Sequence, residues 1–275
     1  MARRVTELEV LRTERLSPHM VRVVAGGDGL AGFPDTEHTD RYVKLLFPLP
    51  GVEYPDPFDM DRVHAEYPRD QWPVQRTYTV RSLDHGAGEL VIDFVHHGDT
   101  GLAGPWAAAA RPGDRLRMVG PGGAYAPDPE ADWHLLVGDE AALPAVCAAL
   151  ERVPAGRPVV AVLQVDGPED ELKLPGDGDL TVHWLYRSEA GGDPDSTQLP
   201  DAVRALGFRE GRVHAFVHGE AIAVRELRRH LGRERGVAKE DLSVSGYWRR
   251  GRDEEGFREF KQAERVREES EQQTG

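Results

Sequence analysis

Through the first half of the chain, apolar residues alternate with polar ones over short runs, the period-2 pattern of strands with one buried face. Six runs carry it: Glu7–Thr13, Met20–Ala25, Arg41–Phe47, Arg76–Arg81, Leu90–Val95 and Arg115–Val119. They are rich in β-branched or alternating residues and separated by Gly, Pro and Asp clusters, so they predict a small antiparallel β-barrel. Leu102–Ala110 breaks the pattern with an alanine run and Pro105, which suits the first turn of one short helix.

From about Trp133 the rhythm changes. Strand patterns at His134–Val137, Val159–Val165, Thr181–Tyr186, Val213–Val217 and Leu242–Ser245 alternate with helical ones at Leu143–Arg152, Gln198–Leu206 and Ala221–Arg235. Strand–helix alternation predicts a parallel sheet with helices on its faces. The turn-rich stretch Pro121–Pro129 reads as the linker. Residues 1–125 are therefore expected to form the barrel domain, 130–252 an α/β domain, and 253–275 a charged surface helix that frays towards its end.

Composition narrows the function. A net charge of −14 argues against nucleic acid as a partner, which needs a basic face. No apolar run approaches a membrane span, and the charged N-terminus is not followed by an apolar core, so a cytoplasmic, soluble protein is expected. The lone cysteine, Cys147, excludes an internal disulfide or a cysteine-ligated iron–sulfur cluster and sits in an apolar helix pattern, where it should be inert. Redox chemistry would require a bound organic cofactor.

Two motifs point to one. Arg76-Thr77-Tyr78-Thr79 supplies a guanidinium for phosphate, an aromatic plane for a flat ring, and a hydroxyl with strand amides for that ring's polar edge. Asp93-Phe94-Val95-His96-His97 leads into Gly98, Gly101 and Gly104, where missing Cβ atoms let backbone N–H groups approach a pyrophosphate. The helix expected at Leu102 would start beside that loop and favour the same anion. A dinucleotide such as FAD fits the pair.

A flavin barrel followed by an α/β lobe is the ferredoxin-reductase-like plan. Within it, the chain resembles the siderophore-interacting protein family over nearly its whole length. The resemblance rests on Arg76–Arg81, Asp93–His97, Gly101–Ala107, Gly138–Ala145, Val217–Ala221 and Gly246–Gly251, six motifs in order. It implies a reductase of ferric siderophores that uses bound FAD and takes electrons from NADH, NADPH or, in some members, ferredoxin. By the same resemblance no side chain acts as a catalyst. Arg76 is expected at the pyrophosphate or ribityl side, Tyr78 at the isoalloxazine and Thr79 near N5, with Thr77 beside them. The Asp93–His97 backbone would follow the ring, Gly101, Leu102, Ala103 and Gly104 would wrap the phosphates, and Trp106 would close the adenine side, the domain seam or simply the core. Gly104 departs from the family, which often has Ser there.

For the nucleotide donor, Gly138, Asp139, Glu140 and Ala141 stand where a binding loop belongs, yet the acids oppose a pyrophosphate and would equally serve as helix caps. Asp166, Glu169, Asp170 and Glu171 favour NADH, whereas Arg187 could accept a 2′-phosphate, leaving the donor open. Beyond the last strand, Trp248 or Tyr247 is expected over the flavin, while Arg249, Arg250 and Arg252, with Lys44 from a barrel strand, form a basic patch for an anionic ferric chelate. The bland alternative pairs those arginines with Asp253, Glu254 and Glu255; Lys261 is a weaker candidate. No metal site is expected: His96 and His97 point to opposite strand faces, and His134, His183, His214 and His218 read as packed or surface imidazoles. Two other functions remain open, a flavin reductase with another acceptor and a non-catalytic ferric-chelate binding module.

Overall fold

The computed structural model describes residues 5–189, 197–252 and Gly256. The charged tail, with Asp253, Glu254, Glu255 and Lys261, otherwise lies outside the described residues. Six strands close a barrel: β1 (Val5–Ser17), β2 (Met20–Gly26), β3 (Tyr42–Phe47), β4 (Val74–Asp84), β5 (Glu89–Val95) and β6 (Arg115–Gly122). They run antiparallel in the order β1-β2-β5-β4-β3-β6. Inward alternate residues such as Val23, Leu45, Leu90, Ile92, Phe94 and Met118 fill the interior. Closure leaves no open sheet edge.

The second sheet joins β7 (Trp133–Asp139), β8 (Pro158–Val165), β9 (Asp179–Tyr186), β10 (Val213–Glu220) and β11 (Leu242–Trp248), all parallel, in the order β11-β10-β7-β8-β9. Central β7 is buried along its whole length because helices cover both faces, whereas edge strand β9 alternates between exposed and half-buried. Among the described residues the α-helices are α1 (Met60–Glu66) and α2 (Ala103–Ala109) in the barrel half, then α3 (Leu143–Leu150), α4 (Gln198–Ala205) and α5 (Ala221–Arg229) around the sheet.

Every residue of α3 is buried, since this alanine-rich helix is wedged between the sheet and barrel strand β4. Small side chains are what permit that double contact. Barrel residue Met20 shares a core with Leu143, Val146 and Phe216. Arg81 on β4 donates to Glu151 beyond α3 at 2.9 and 2.6 Å, and Ser17 Oγ donates to Asp170 at 2.7 Å. Barrel and sheet are therefore fastened at two separated points.

Four expectations need adjustment. β1 continues past Thr13 to Ser17 because hairpin pairing with β2, rather than burial, sustains it through the exposed Arg12–Arg15 segment. α1 was not anticipated: its seven residues are too few to show a period, and its start is fixed by Asp59, which accepts from the Asp61 and Arg62 amides at 2.8 and 3.2 Å. α5 gives way after Arg229 to a π turn, His230–Glu234. The supposed linker is no loose connection either, since Tyr125 is 2% exposed and Asp40 accepts the Ala124 and Tyr125 amides at 2.9 Å.

Candidate functional site

On the barrel side, β4 and β5 carry the first two motifs. Arg76 donates to the neighbouring Gln75 carbonyl at 2.8 Å and pairs with no carboxylate among the described residues. The Tyr78 ring lies 4.5 Å from Phe94, which is 5.8 Å from Trp106, itself 5.7 Å from Phe47. Trp106 thus packs on the barrel core rather than at the seam between barrel and sheet. Thr77 is exposed, whereas Thr79 is 5% exposed and lies beside the Tyr247 hydroxyl of β11. The Asp93 carboxylate is taken up by Arg22 at 2.7 and 2.8 Å, so only its backbone remains to face a ligand. Val95 is half-buried and His97 is exposed, yet the protein around its ring still lowers the affinity of the His97 imidazole for a proton by desolvation.

The turn that follows has Gly98 at φ 60° and Gly101 at φ 86°, conformations that other residues rarely adopt. Leu102 and Ala103 pack on the barrel core, and α2 begins there as expected, with Pro105 in its first turn. A Cβ on Gly104 would stand 2.7 Å from the Val95 carbonyl oxygen. Glycine here brings the helix start down onto the end of β5, so the serine common in the resembled family would need a backbone shift. An arginine with no carboxylate partner among the described residues, a half-buried aromatic ring and a glycine turn are of the kind that suits FAD.

On the sheet side, a Cβ on Gly138 would meet Ala142 Cβ at 2.5 Å and the His218 carbonyl at 3.0 Å. Gly138→Ala should therefore cost about 1–3 kcal/mol of stability by overpacking, read as a lower denaturation midpoint. Asp139, 2% exposed, accepts the Ala141 amide at 3.0 Å, the Glu220 amide at 2.8 Å and the Trp248 indole N–H at 2.8 Å. Burial and the adjacent Glu140 push its carboxyl up to about 6. Glu140 forms a two-pronged ion pair with Arg187. Neither acid caps α3, whose N-cap is Ala142 with no side-chain bond, because both are drawn to other partners. The pair also neutralises Arg187 as a receptor for a 2′-phosphate.

Two of the acids after β8, Asp170 and Glu171, are likewise occupied. Asp170 accepts from Ser17 Oγ and the His19 amide and meets His19 Nδ1 at 2.7 Å, while Glu171 accepts the Tyr186 hydroxyl. His19, Asp166 and Asp170 bring potential ligand atoms within 4.8 Å of one another, but the bonds of Asp170 already account for that convergence. Cys147 is buried and its thiol is pushed up to about 11, which keeps it protonated.

Beyond β11, Arg249 Nη1 lies 3.5 Å from Glu220 Oε1, and the Arg250 amide donates to the same oxygen at 3.4 Å. The other Glu220 oxygen caps α5 through the Ile222 and Ala223 amides. Arg252 is exposed. Lys44 lines a cavity of about 260 Å³ with Thr6, Pro34, Tyr42 and Gly122. Strand register sets Lys44 opposite Thr77 and Tyr42 opposite Thr79. The structure thus joins Thr79, Asp139, Tyr247 and Trp248 at the seam and gathers Tyr78, Phe94 and Trp106 on the barrel. Sequence reasoning missed Arg22, Ser17, His19 and Glu220. Only Glu220 left a local signal, an acid directly before a helical pattern.

A closed antiparallel barrel fastened to a parallel five-stranded sheet has the ferredoxin-reductase-like fold. Residues 9–125 match the siderophore-interacting FAD-binding domain and residues 131–251 the siderophore-interacting protein family. The chain belongs to the siderophore-interacting protein family. It is 34% identical to the ferric vibriobactin reductase ViuB of Vibrio cholerae, over 92% of each chain. It is 32% identical to an NADPH-dependent ferric-chelate reductase of Escherichia coli, over 89% of this chain and 93% of that one. Among solved structures, a siderophore utilization protein from T. fusca superposes with a TM-score of 0.77 at 37% identity, covering 91% of this chain and 94% of the other.

Proposed function

We propose that this protein is an oxidoreductase that reduces ferric siderophores, using FAD held by the barrel and electrons from NADH or NADPH, with ferredoxin as the alternative donor. The observation that carries the reading is Arg76, a guanidinium without a carboxylate partner among the described residues, beside the Gly98–Gly104 turn of an acidic chain. The names of two relatives, both ferric reductases, support the acceptor. Flavin accepts a hydride's two electrons and passes them on singly, as Fe(III) requires. Reduction to Fe(II) weakens the hold of hard oxygen donors, so the metal can leave the chelate.

The protein's part is placement. Arg76 and the amides of the Gly98–Gly104 turn would hold phosphate, Tyr78 would border the ring, and Thr79 stands beside the Tyr247 hydroxyl at the ring's edge. Residues 1–125 would carry the cofactor and 130–252 the donor, with Gly138–Ala141 at the donor's side. Lys44, Arg249, Arg250 and Arg252 attract an anionic ferric chelate. Replacing Arg249 and Arg250 together with Ala should slow reduction of an anionic chelate about tenfold at low salt, while a neutral dye changes less than about twofold. Equal losses for both acceptors would remove the patch from substrate binding.

Anaerobic visible spectroscopy tests the whole path. NADH or NADPH should bleach the flavin bands, and a ferric siderophore with a ferrous trap should restore them with trapped Fe(II). A bleached protein that no ferric chelate reoxidises would point to another acceptor; a preparation that takes up no flavin would leave only a binding module. No helix among the described residues is long and apolar enough to cross a membrane.

A further inference from the structure

Asp139 is a buried carboxylate whose hydrogen bonds come from three N–H groups and from no cation. Keeping such a group ionised inside a protein costs folding energy. Two of its donors, the Ala141 and Glu220 amides, are fixed backbone at the ends of adjacent parallel strands, so they lock the carboxylate in place. The third is the Trp248 side chain, which would otherwise be free to turn about its own bonds. Gly219, at φ 143°, leaves room for this: a Cβ there would lie 2.6 Å from Asp139 Oδ2. Trp248 is half-buried and ends β11, one residue after Tyr247, whose hydroxyl lies beside barrel residue Thr79. Its indole therefore stands beside the seam between barrel and sheet, at the carboxyl ends of the strands, where ligands of open α/β sheets bind.

We propose that Asp139 is a positioning residue: locked by the Ala141 and Glu220 amides, its carboxylate holds the Trp248 indole at the seam and so sets how the nicotinamide donor approaches the barrel. The assignment rests on the donor reading given above. Several charged or titratable groups face this carboxylate: Glu140 on its own loop, Arg187 beyond β9, Glu220 on β10 and Tyr247 on β11, with Arg249 paired to Glu220 and His218 against Tyr247. An isosteric change at position 139 separates its contribution from theirs.

The test uses full-length protein labelled with 5-fluorotryptophan at its five tryptophans, the Trp248 resonance being assigned from Trp248→Phe. In the wild type that resonance should titrate with a midpoint near 6, and in Asp139→Asn it should not. With FAD bound, Asp139→Asn and Trp248→Phe should each raise the donor KM about tenfold, as expected for losing a hydrogen bond to a charged group, and the double variant should raise it no further. kcat should stay within about twofold, the pattern of lost binding rather than lost chemistry. Should Asp139→Asn fail to fold, the wild-type titration and Trp248→Phe kinetics still decide. A Trp248 resonance indifferent to pH in the wild type, or additive KM effects, would overturn the assignment. If neither nucleotide bleaches the wild type, the donor reading and the donor half of this proposal fall together, while the fluorine titration separately decides whether Asp139 holds Trp248.

Discussion

Arg76→Ala is expected to emerge from purification largely free of flavin, with FAD affinity reduced about a hundredfold or more. The magnitude follows from losing two charge-assisted hydrogen bonds to phosphate, each worth about 1.5–3 kcal/mol. The fold itself should barely notice. Arg76 is half-buried and, among the described residues, its guanidinium donates only to the adjacent Gln75 carbonyl, so unfolding of the flavin-free protein should shift by less than about 0.5 kcal/mol. Arg76→Lys keeps the charge but loses the planar fork, and should fall between wild type and Ala. Flavin titration followed by fluorescence quenching measures all three. Unchanged affinity in Arg76→Ala would place the phosphate elsewhere and remove the main support for the proposed cofactor site.

The second large effect lies away from the site. His134, on central strand β7, is fully buried, and neither ring nitrogen has a hydrogen-bond partner among the described residues. Burial, aided by nearby His214, pulls its imidazole down to about 4. An imidazole depressed in the folded state contributes its full stability above the unfolded value of about 6.5 and loses it as pH falls, because the unfolded chain binds the proton first. A gap of about 2.5 pH units is worth about 3 kcal/mol. His134→Leu removes the titration, so between pH 7.5 and 4 its unfolding free energy should gain about 3 kcal/mol on the wild type. Asp139 runs in the opposite sense. Its raised carboxyl burdens the fold at neutral pH and is relieved as pH falls through about 6, so the wild type alone could show a nearly flat profile. That contribution is common to both proteins and cancels in the difference. Denaturant titrations of the pair across this range provide the measurement; a constant difference would mean that His134 binds its proton as readily in the folded protein as in the unfolded chain.

Local pattern settled a great deal here. Alternation over Leu90–Val95 yields β5 because facing one side inward satisfies a half-buried strand, and the apolar run of Val213–Val217 yields a central parallel strand because both of its faces are covered. Arg76, Tyr78 and the glycines at 98, 101 and 104 were legible as a cofactor motif because their chemistry is carried within a few residues. The same locality explains the misreadings. Asp139 and Glu140 read as caps because they precede a helix, yet their partners, Trp248 and Arg187, lie 109 and 47 residues away. Trp106 was ambiguous for the same reason: only the closed barrel brings it against Phe47 and Phe94.

The amino-acid sequence alone therefore determined the barrel-then-sheet order and the acidic charge, and it carries the motifs on which the flavin proposal rests, all consequences of short-range periodicity and side-chain chemistry. Tertiary structure decided which charges are spent and which remain for a ligand. Asp93 is consumed by Arg22, Asp170 by Ser17 and His19, and Arg187 by Glu140, whereas Arg76 meets no carboxylate among the described residues. Such pairings depend on distances of a few ångströms between residues far apart in the chain, and only folding brings those residues together.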